Sequence, residues 1–87
     1  MRESLEVRRK RLLFRSLRRG TKESDLVIGG FAKASLGSMD AAQLDRFEAL
    51  LDESDQDILI WVLEMEAIPE DIDTDLMNAL IKYKRSL

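Results

Sequence analysis

The sequence contains no cysteine and no histidine among its 87 residues. Without cysteine there are no disulfides, no thiolate-ligated zinc or iron–sulfur centres and no thiol nucleophile. Without histidine the chain lacks the side chain that most often serves as a general base or metal ligand near neutral pH. Composition therefore excludes most kinds of catalytic and metal site.

Proline, glycine and long apolar runs are also scarce. One proline and four glycines favour long regular elements over a loop-rich fold. The longest apolar run, residues 58–63, is far shorter than the roughly 20 residues of a membrane-spanning helix. With 45% hydrophobic and 36% charged residues, the sequence predicts one small domain over residues 1–87, cytoplasmic and without direct membrane insertion.

Charge is distributed unevenly along the chain. Residues 1–22 hold nine Lys/Arg against two acidic residues, a net +7, whereas residues 23–87 hold five against fifteen, a net −10. Such a basic segment either attracts an acidic partner or packs against the acidic remainder of its own domain. The sequence alone leaves both alternatives open.

The apolar spacing predicts an all-α fold, a compact five-helix bundle in a single domain. In the first helix, Leu5, Leu12, Leu13 and Leu17 form the expected apolar stripe, and Gly20 supplies a left-handed stop. Two consecutive glycines inside the second helix indicate a kink or a close backbone neighbour. The predicted helices cover about residues 3–18, 24–36, 40–51, 54–65 and 72–81.

Local signals support three of these boundaries. Asp40 with Gln43 forms a capping box, and Ser54 precedes Asp57 in the same arrangement. Pro69 is expected to end the fourth helix. Because that helix is apolar on most sides, including Trp61 and Met65, it is predicted to be the most buried.

Few residues are candidates for chemistry. Asp71, Asp73 and Asp75 alternate as in a calcium-binding loop, but the loop glycine is missing and Lys82 stands where the bidentate glutamate belongs. Helix N-terminal acids, favoured by the macrodipole, account for them equally well. We therefore predict no metal site, no catalytic residue and no enzymatic activity.

The basic stretch Arg8–Arg11, continued by three further arginines, suggests phosphate binding and hence a basic-helix nucleic-acid binder. However, the isoelectric point is about 4.9, and Phe14 is the one aromatic residue near this stretch. Because the acidic remainder repels nucleic acid, none is expected as a partner.

The most specific feature is the segment from Arg18 to Asp25, in which an arginine and a glycine separate two helices. A guanidinium fork and nearby backbone N–H groups at such a corner suit the binding of a carboxylate, phosphate or carbonyl on a partner. The alternative is purely structural, with Glu23 capping the second helix and pairing with Arg19. The candidate partner-binding residues are Arg19, Gly20 and Glu23, flanked by Arg15, Arg18, Thr21 and Asp25.

These residues, placed after a basic helix, make the chain resemble the succinate dehydrogenase assembly factor family. The pattern Arg-Gly-x-x-Glu (Arg19, Gly20, Glu23) is followed in order by Phe31-Ala32, Leu44 to Leu51, Asp55-x-Asp57, Trp61 and Pro69. The resemblance covers nearly the whole chain and is strongest to the bacterial branch.

The resemblance implies a non-enzymatic assembly chaperone that binds the flavoprotein subunit of succinate dehydrogenase, or of the similar fumarate reductase. It would promote covalent FAD attachment by holding the partner in the reactive orientation, while the partner performs the bond formation. No cofactor is then bound by this chain, because FAD belongs to the partner flavoprotein, and a monomer is expected. An antitoxin-like regulatory protein-binding module is the alternative within protein binding.

The resemblance also implies residue roles. Arg19 would contact the partner near its flavin, Gly20 would permit the turn and close approach, and Glu23 would fix Arg19 or pair with a partner cation. On this basis, Arg19→Ala is expected to abolish flavinylation without changing the melting temperature.

Some positions depart from the family pattern. Leu17, Thr21 and Ser24 replace an often aromatic residue, a frequent Met and a frequent apolar residue. Between Trp61 and Pro69 the usual glycine is missing.

Overall fold

A computed structural model describes residues 3–87 and contains five helices, with no strand in that range. The helices are α1 (Leu5–Leu17), α2 (Lys22–Ser24, continued by a π-helical segment, Asp25–Gly29, and by Gly30–Ser35), α3 (Ala41–Leu51), α4 (Asp55–Val62) and α5 (Asp75–Arg85). A short 3₁₀ turn, Leu36–Ser38, follows α2. The predicted all-α five-helix fold is confirmed.

The predicted caps set the beginnings of the helices. Asp40 and Gln43 form a reciprocal capping box at α3, and the Ser54 hydroxyl accepts from the N–H of Asp57 at α4. Thr74 caps α5 by accepting from the N–H of Met77. Each cap satisfies a backbone donor that the first turn of a helix leaves unpaired.

The core is built from the apolar faces of all five helices. Phe31 lies near its centre, with ring centroids 5.9 Å from Phe47 and 6.0 Å from Tyr83. The stripes predicted for α3 and α5 are confirmed as buried: Leu44, Phe47, Leu50 and Leu51; Leu76, Met77, Leu80 and Ile81.

The stripe predicted for α1 was largely wrong. Of its four leucines Leu12 is buried, whereas Leu5 and Leu17 are 42% and 37% exposed. Ser16 is buried instead, and its hydroxyl donates to the carbonyl of Leu12. A small residue is needed there because the backbone of α2 lies directly against this face of α1.

The glycine pair in α2 explains that contact. A Cβ on Gly29 would lie 3.1 Å from the carbonyl oxygen of Ser16 and 2.8 Å from the side chain of Leu17, and a Cβ on Gly30 would overlap the Tyr83 hydroxyl. The π-helical segment ends at Gly29, where the predicted close approach occurs. The two glycines thus allow α2 to contact α1 and α5 at consecutive positions.

The fourth helix is shorter and less buried than expected. It ends at Val62, before Pro69, and Met65 is 70% exposed beyond it. Glu64 adopts a left-handed φ of 58°, and the N–H of Met65 donates to the carbonyl of Ile60. This left-handed helix end, a Schellman motif, stops α4 upstream of the proline. Within residues 3–87 no helix is long and apolar enough to cross a membrane.

Candidate functional site

The arginines of α1 are held mainly by the chain's own acidic residues. Arg8 donates to Asp45 and Glu48 at 2.6 and 2.9 Å, and Arg11 donates to Glu48 at 2.8 Å. Arg9 donates to two backbone carbonyls after α2. The basic helix therefore neutralises the acidic face of α3, which leaves few of its guanidinium groups free for nucleic-acid phosphates.

Electrostatics reinforce this α1–α3 contact. Hydrogen bonding from Arg11, with a further bond from Arg8, lowers the pKa of Glu48 from its ordinary 4.5 to about 2. The same bonds raise the pKa of both arginines above the usual value. Glu48 is thus ionised throughout the range in which the protein works, and it links two arginines of α1 to α3.

Arg19 lies just beyond α1, and its guanidinium is bound on three sides. It donates from Nε to Asp55 Oδ1 (2.5 Å), from Nη1 to the carbonyl of Leu51 (2.6 Å) and from Nη2 to the carbonyl of Glu53 (2.7 Å). Its side chain is 10% exposed. A cation here satisfies the carbonyl groups at the end of α3 and pairs with the first residue of α4.

The turn after Arg19 is shaped by its backbone. Gly20 has a φ of +106°, a region that favours glycine, and a Cβ there would meet no atom of residues 3–87 within 4 Å. Thr21 caps α2 by accepting from the N–H of Ser24, and Asp25 accepts from the N–H of Arg19. We call residues 18–25 the Arg19 corner.

The structural alternative for this corner was wrong in both parts. Thr21, not Glu23, caps α2, and Arg19 pairs with Asp55. The side chain of Glu23 has no hydrogen-bond or ion-pair partner among residues 3–87. The proposed role of Glu23 in fixing Arg19 is thereby removed, and its pairing with a partner cation stays a prediction.

Arg19 and Glu23 line different surface depressions. Glu23 borders a largely apolar groove of about 360 Å³ with Leu26, Leu63 and Lys84 among its walls. Arg19 lines an open depression of about 430 Å³, which we call the arginine depression; its other walls are Phe14, Arg15, Arg18 and Asp55. The structure therefore places the three motif residues on one turn but does not gather Arg19 and Glu23 into one cluster.

Arg18 is the exposed cation of the arginine depression. Its guanidinium carbon lies 4.4 Å from the centroid of the Phe14 ring, and Phe14 is 58% exposed. Arg15 is engaged by Asp52 at 3.0 Å. Sequence reasoning assigned no role to Phe14 or Asp55, although the four-residue spacing from Phe14 to Arg18 is that of neighbours on one helix face.

Two departures from the family pattern prove to be coupled. The Thr21 hydroxyl donates to Ser24 Oγ at 2.7 Å, and Ser24 is fully buried. A buried hydroxyl needs such a partner. The position that lacks the usual glycine includes Glu64, whose left-handed φ is one that glycine adopts more readily.

The acidic residues before and at the start of α5 are also occupied. Asp75 accepts from Arg46 at 2.7 and 3.0 Å, and Asp73 accepts from the amide of Asn78. Within residues 3–87, no three acidic residues gather as a potential metal site.

Comparison with known proteins adds a family to this geometry. Residues 10–84 match the family model described as flavinator of succinate dehydrogenase. The FAD assembly factor SdhE of Acetobacter pasteurianus is 34% identical over 83 residues, 95% of this chain and 76% of that protein.

Two mitochondrial proteins named succinate dehydrogenase assembly factor 2 are also similar. That of Dictyostelium discoideum is 36% identical over 74 residues, 85% of this chain and 52% of that protein. That of Candida glabrata is 47% identical over 60 residues, 69% of this chain and 39% of that protein. The chain spans about half the length, or less, of these two mitochondrial relatives.

Proposed function

We propose a function from the premise that this chain belongs to the flavinator of succinate dehydrogenase family: it is an assembly factor that binds the flavoprotein subunit of succinate dehydrogenase. It promotes covalent attachment of FAD to that subunit. The observation that carries the proposal is the family match over residues 10–84, which includes the whole Arg19 corner. The bacterial relative, named a FAD assembly factor, supports the same assignment.

The proposed role is to position the partner. The sequence has no histidine or cysteine, the side chains most often used as general base and soft nucleophile. FAD and the bond-forming groups then belong to the flavoprotein. An assembly factor accelerates such a reaction by holding the partner's reacting groups in the productive orientation.

The rigidity of the Arg19 corner suits that role. Three hydrogen bonds from Arg19 fix the turn between α1 and α2 to the turn between α3 and α4. A binding surface that is already ordered loses less conformational entropy on association. We propose that the corner (Arg19, Gly20 and Glu23, flanked by Arg15, Arg18, Thr21 and Asp25) contacts the flavoprotein, with the exposed Glu23 facing a cation of the partner.

The experiment is co-expression of the flavoprotein subunit with and without this chain in cells that lack their own assembly factor. Covalent FAD is measured as ultraviolet fluorescence of the denatured subunit in a gel. Fluorescence is expected to rise with the wild-type chain and to fall with Glu23→Gln. Glu70→Gln, which alters an exposed acid in the connection before α5, is the matched control and is expected to behave as wild type.

Equal fluorescence with and without the chain would contradict the proposal. Mass spectrometry of proteins that co-purify with the chain tests the partner separately. Recovery of the flavoprotein supports it, whereas recovery of a small toxin would favour the antitoxin-like alternative. The same preparations test whether the chain is monomeric and cytoplasmic, and whether the fumarate reductase subunit is also bound.

A further inference from the structure

Arg18 differs from its neighbours in how its side chain is used. Arg15 and Arg19 are paired with Asp52 and Asp55, whereas the Arg18 guanidinium has no hydrogen-bond or ion-pair partner among residues 3–87. Its one side-chain interaction there is with the face of Phe14, at 4.4 Å. Stacking on an aromatic ring restrains a guanidinium while leaving the N–H groups at its edge free to donate.

The charge around Arg18 is nearly balanced. The three arginines 15, 18 and 19 face two paired aspartates, which leaves one unbalanced positive charge at the arginine depression. A single negative charge is enough to neutralise it. A planar carboxylate also matches the two parallel N–H donors of a guanidinium edge.

We propose that Arg18, held on Phe14, binds a single carboxylate of the partner polypeptide, and that Arg19 is a positioning residue that keeps the arginine depression in shape. The identity of the partner rests on the proposed function. The occupant is an Asp or Glu side chain, or a chain terminus, because one charge and a planar acceptor are what the site offers. The exposed ring of Phe14 adds an apolar surface beside it.

The first experiment measures the dissociation constant for the flavoprotein subunit over a range of salt concentrations. Arg18→Gln is expected to weaken binding about tenfold, the loss of one well-formed charge-assisted contact. Salt is expected to weaken the wild type more than this variant, because the screened ion pair is missing. Arg18→Lys keeps the charge but not the fork, and is expected to fall between the two.

Lys33→Gln is the matched control. Lys33 is an exposed cation of α2 that does not line the arginine depression, and its variant is expected to bind within twofold of wild type. Equal binding by wild type and Arg18→Gln would overturn the proposal. Equal weakening by Arg18→Gln and Lys33→Gln would do so too, since it would show a general charge effect.

A second experiment does not depend on the flavoprotein. The free chain is titrated with N-acetyl-glutamic acid α-amide, which carries one carboxylate, and in parallel with inorganic phosphate and with chloride at matched ionic strength. NMR signals of Arg18 Nε–Hε and the Phe14 ring are expected to shift most with the carboxylate, and not in Arg18→Gln. Larger shifts with phosphate, or equal shifts with chloride, would overturn the carboxylate assignment.

The two experiments separate the two proposals. If the wild-type chain fails to bind the flavoprotein, the proposed function is contradicted, and the titration still decides whether the arginine depression binds carboxylate. If the chain binds the flavoprotein but Arg18→Gln has no effect, only the site is contradicted. Circular dichroism of each variant checks that the fold is kept.

Discussion

Two helix ends in this protein have the same backbone solution but different side-chain support. After α1, the residue with positive φ is Gly20, and the neighbouring Arg19 is 10% exposed and makes three hydrogen bonds to the α3–α4 turn. After α4, the residue with positive φ is Glu64, which pairs on the surface with Arg85; their side chains are 53% and 68% exposed.

The difference distinguishes a fixed corner from a loosely supported one. Gly20 adopts its conformation without a Cβ penalty, and shielded hydrogen bonds hold it in place. Glu64 bears a strained conformation, and an exposed ion pair contributes little in water. The α1–α2 turn is therefore the better platform for binding a partner, since it presents its groups in one geometry.

The strongest test of the comparison is Arg19→Ala. Removing the guanidinium leaves two carbonyl groups and the Asp55 carboxylate without their shielded donor, and we expect the free energy of unfolding to fall by about 3 kcal/mol. Urea denaturation followed by circular dichroism measures it. This result would replace the expectation, drawn from the family resemblance, that the variant keeps its wild-type melting temperature.

Arg18→Ala is the control for that measurement. It removes a neighbouring arginine whose side-chain interaction, the one with Phe14, is exposed, so a loss below about 1 kcal/mol is expected. Should both variants unfold at the same denaturant concentration, Arg19 would have no special structural role. The comparison also shows why lost flavinylation in Arg19→Ala alone would not identify a contact residue.

The parts of the fold that depend on short-range signals were predictable. The Asp40–Gln43 box and the Ser54 cap involve residues three apart, so the sequence pattern contains the whole interaction. The stripes of α3 and α5 were equally readable, because a single apolar face fixes which side is buried.

The parts that depend on long-range contacts were not. Arg19 finds its partners 32–36 residues away, and no local pattern specifies that Asp55 rather than Glu23 pairs with it. The burial of Ser16 in place of Leu17 follows from the approach of Gly29, which is decided by helix packing. The candidate site was thus predicted as a segment, whereas its division into two depressions required the three-dimensional structure.

Acid offers a second test, because it acts on the arginine-linked side of the molecule. The folded-state pKa of Glu48 lies at about 2, below its ordinary 4.5. The stabilisation from its ionised form is therefore fully present above about pH 4.5 and is lost as the pH falls towards 2. Because Glu48 is partly exposed and screened, we expect this loss to be about 1–2 kcal/mol.

The matched variant for this test is Glu48→Gln. Its stability difference from wild type is expected to be constant near neutral pH and to shrink between about pH 4.5 and 2. Urea titrations at several pH values measure it. A difference that does not change with pH would show that the arginine contacts do not depend on the charge of Glu48.

The smallest expected effect concerns Glu64, at the loosely supported helix end. Glu64→Gly and Glu64→Ala both remove the ion pair with Arg85, so their stabilities differ through the backbone alone. At a φ of 58° glycine avoids the Cβ penalty, and we expect the glycine variant to be about 1 kcal/mol more stable than the alanine variant. Thermal unfolding of the two variants side by side measures the difference.

Lys82 supplies the control, because it is an exposed residue inside α5. There the preference should reverse, with Lys82→Ala about 1 kcal/mol more stable than Lys82→Gly, since glycine is a poor helix former. If alanine were preferred at both positions, Glu64 would not be strained, and the two helix ends would differ only in their side-chain contacts. A reversal confined to Lys82 would instead place the strain of this fold at the end of α4, far along the chain from the corner proposed to bind the partner.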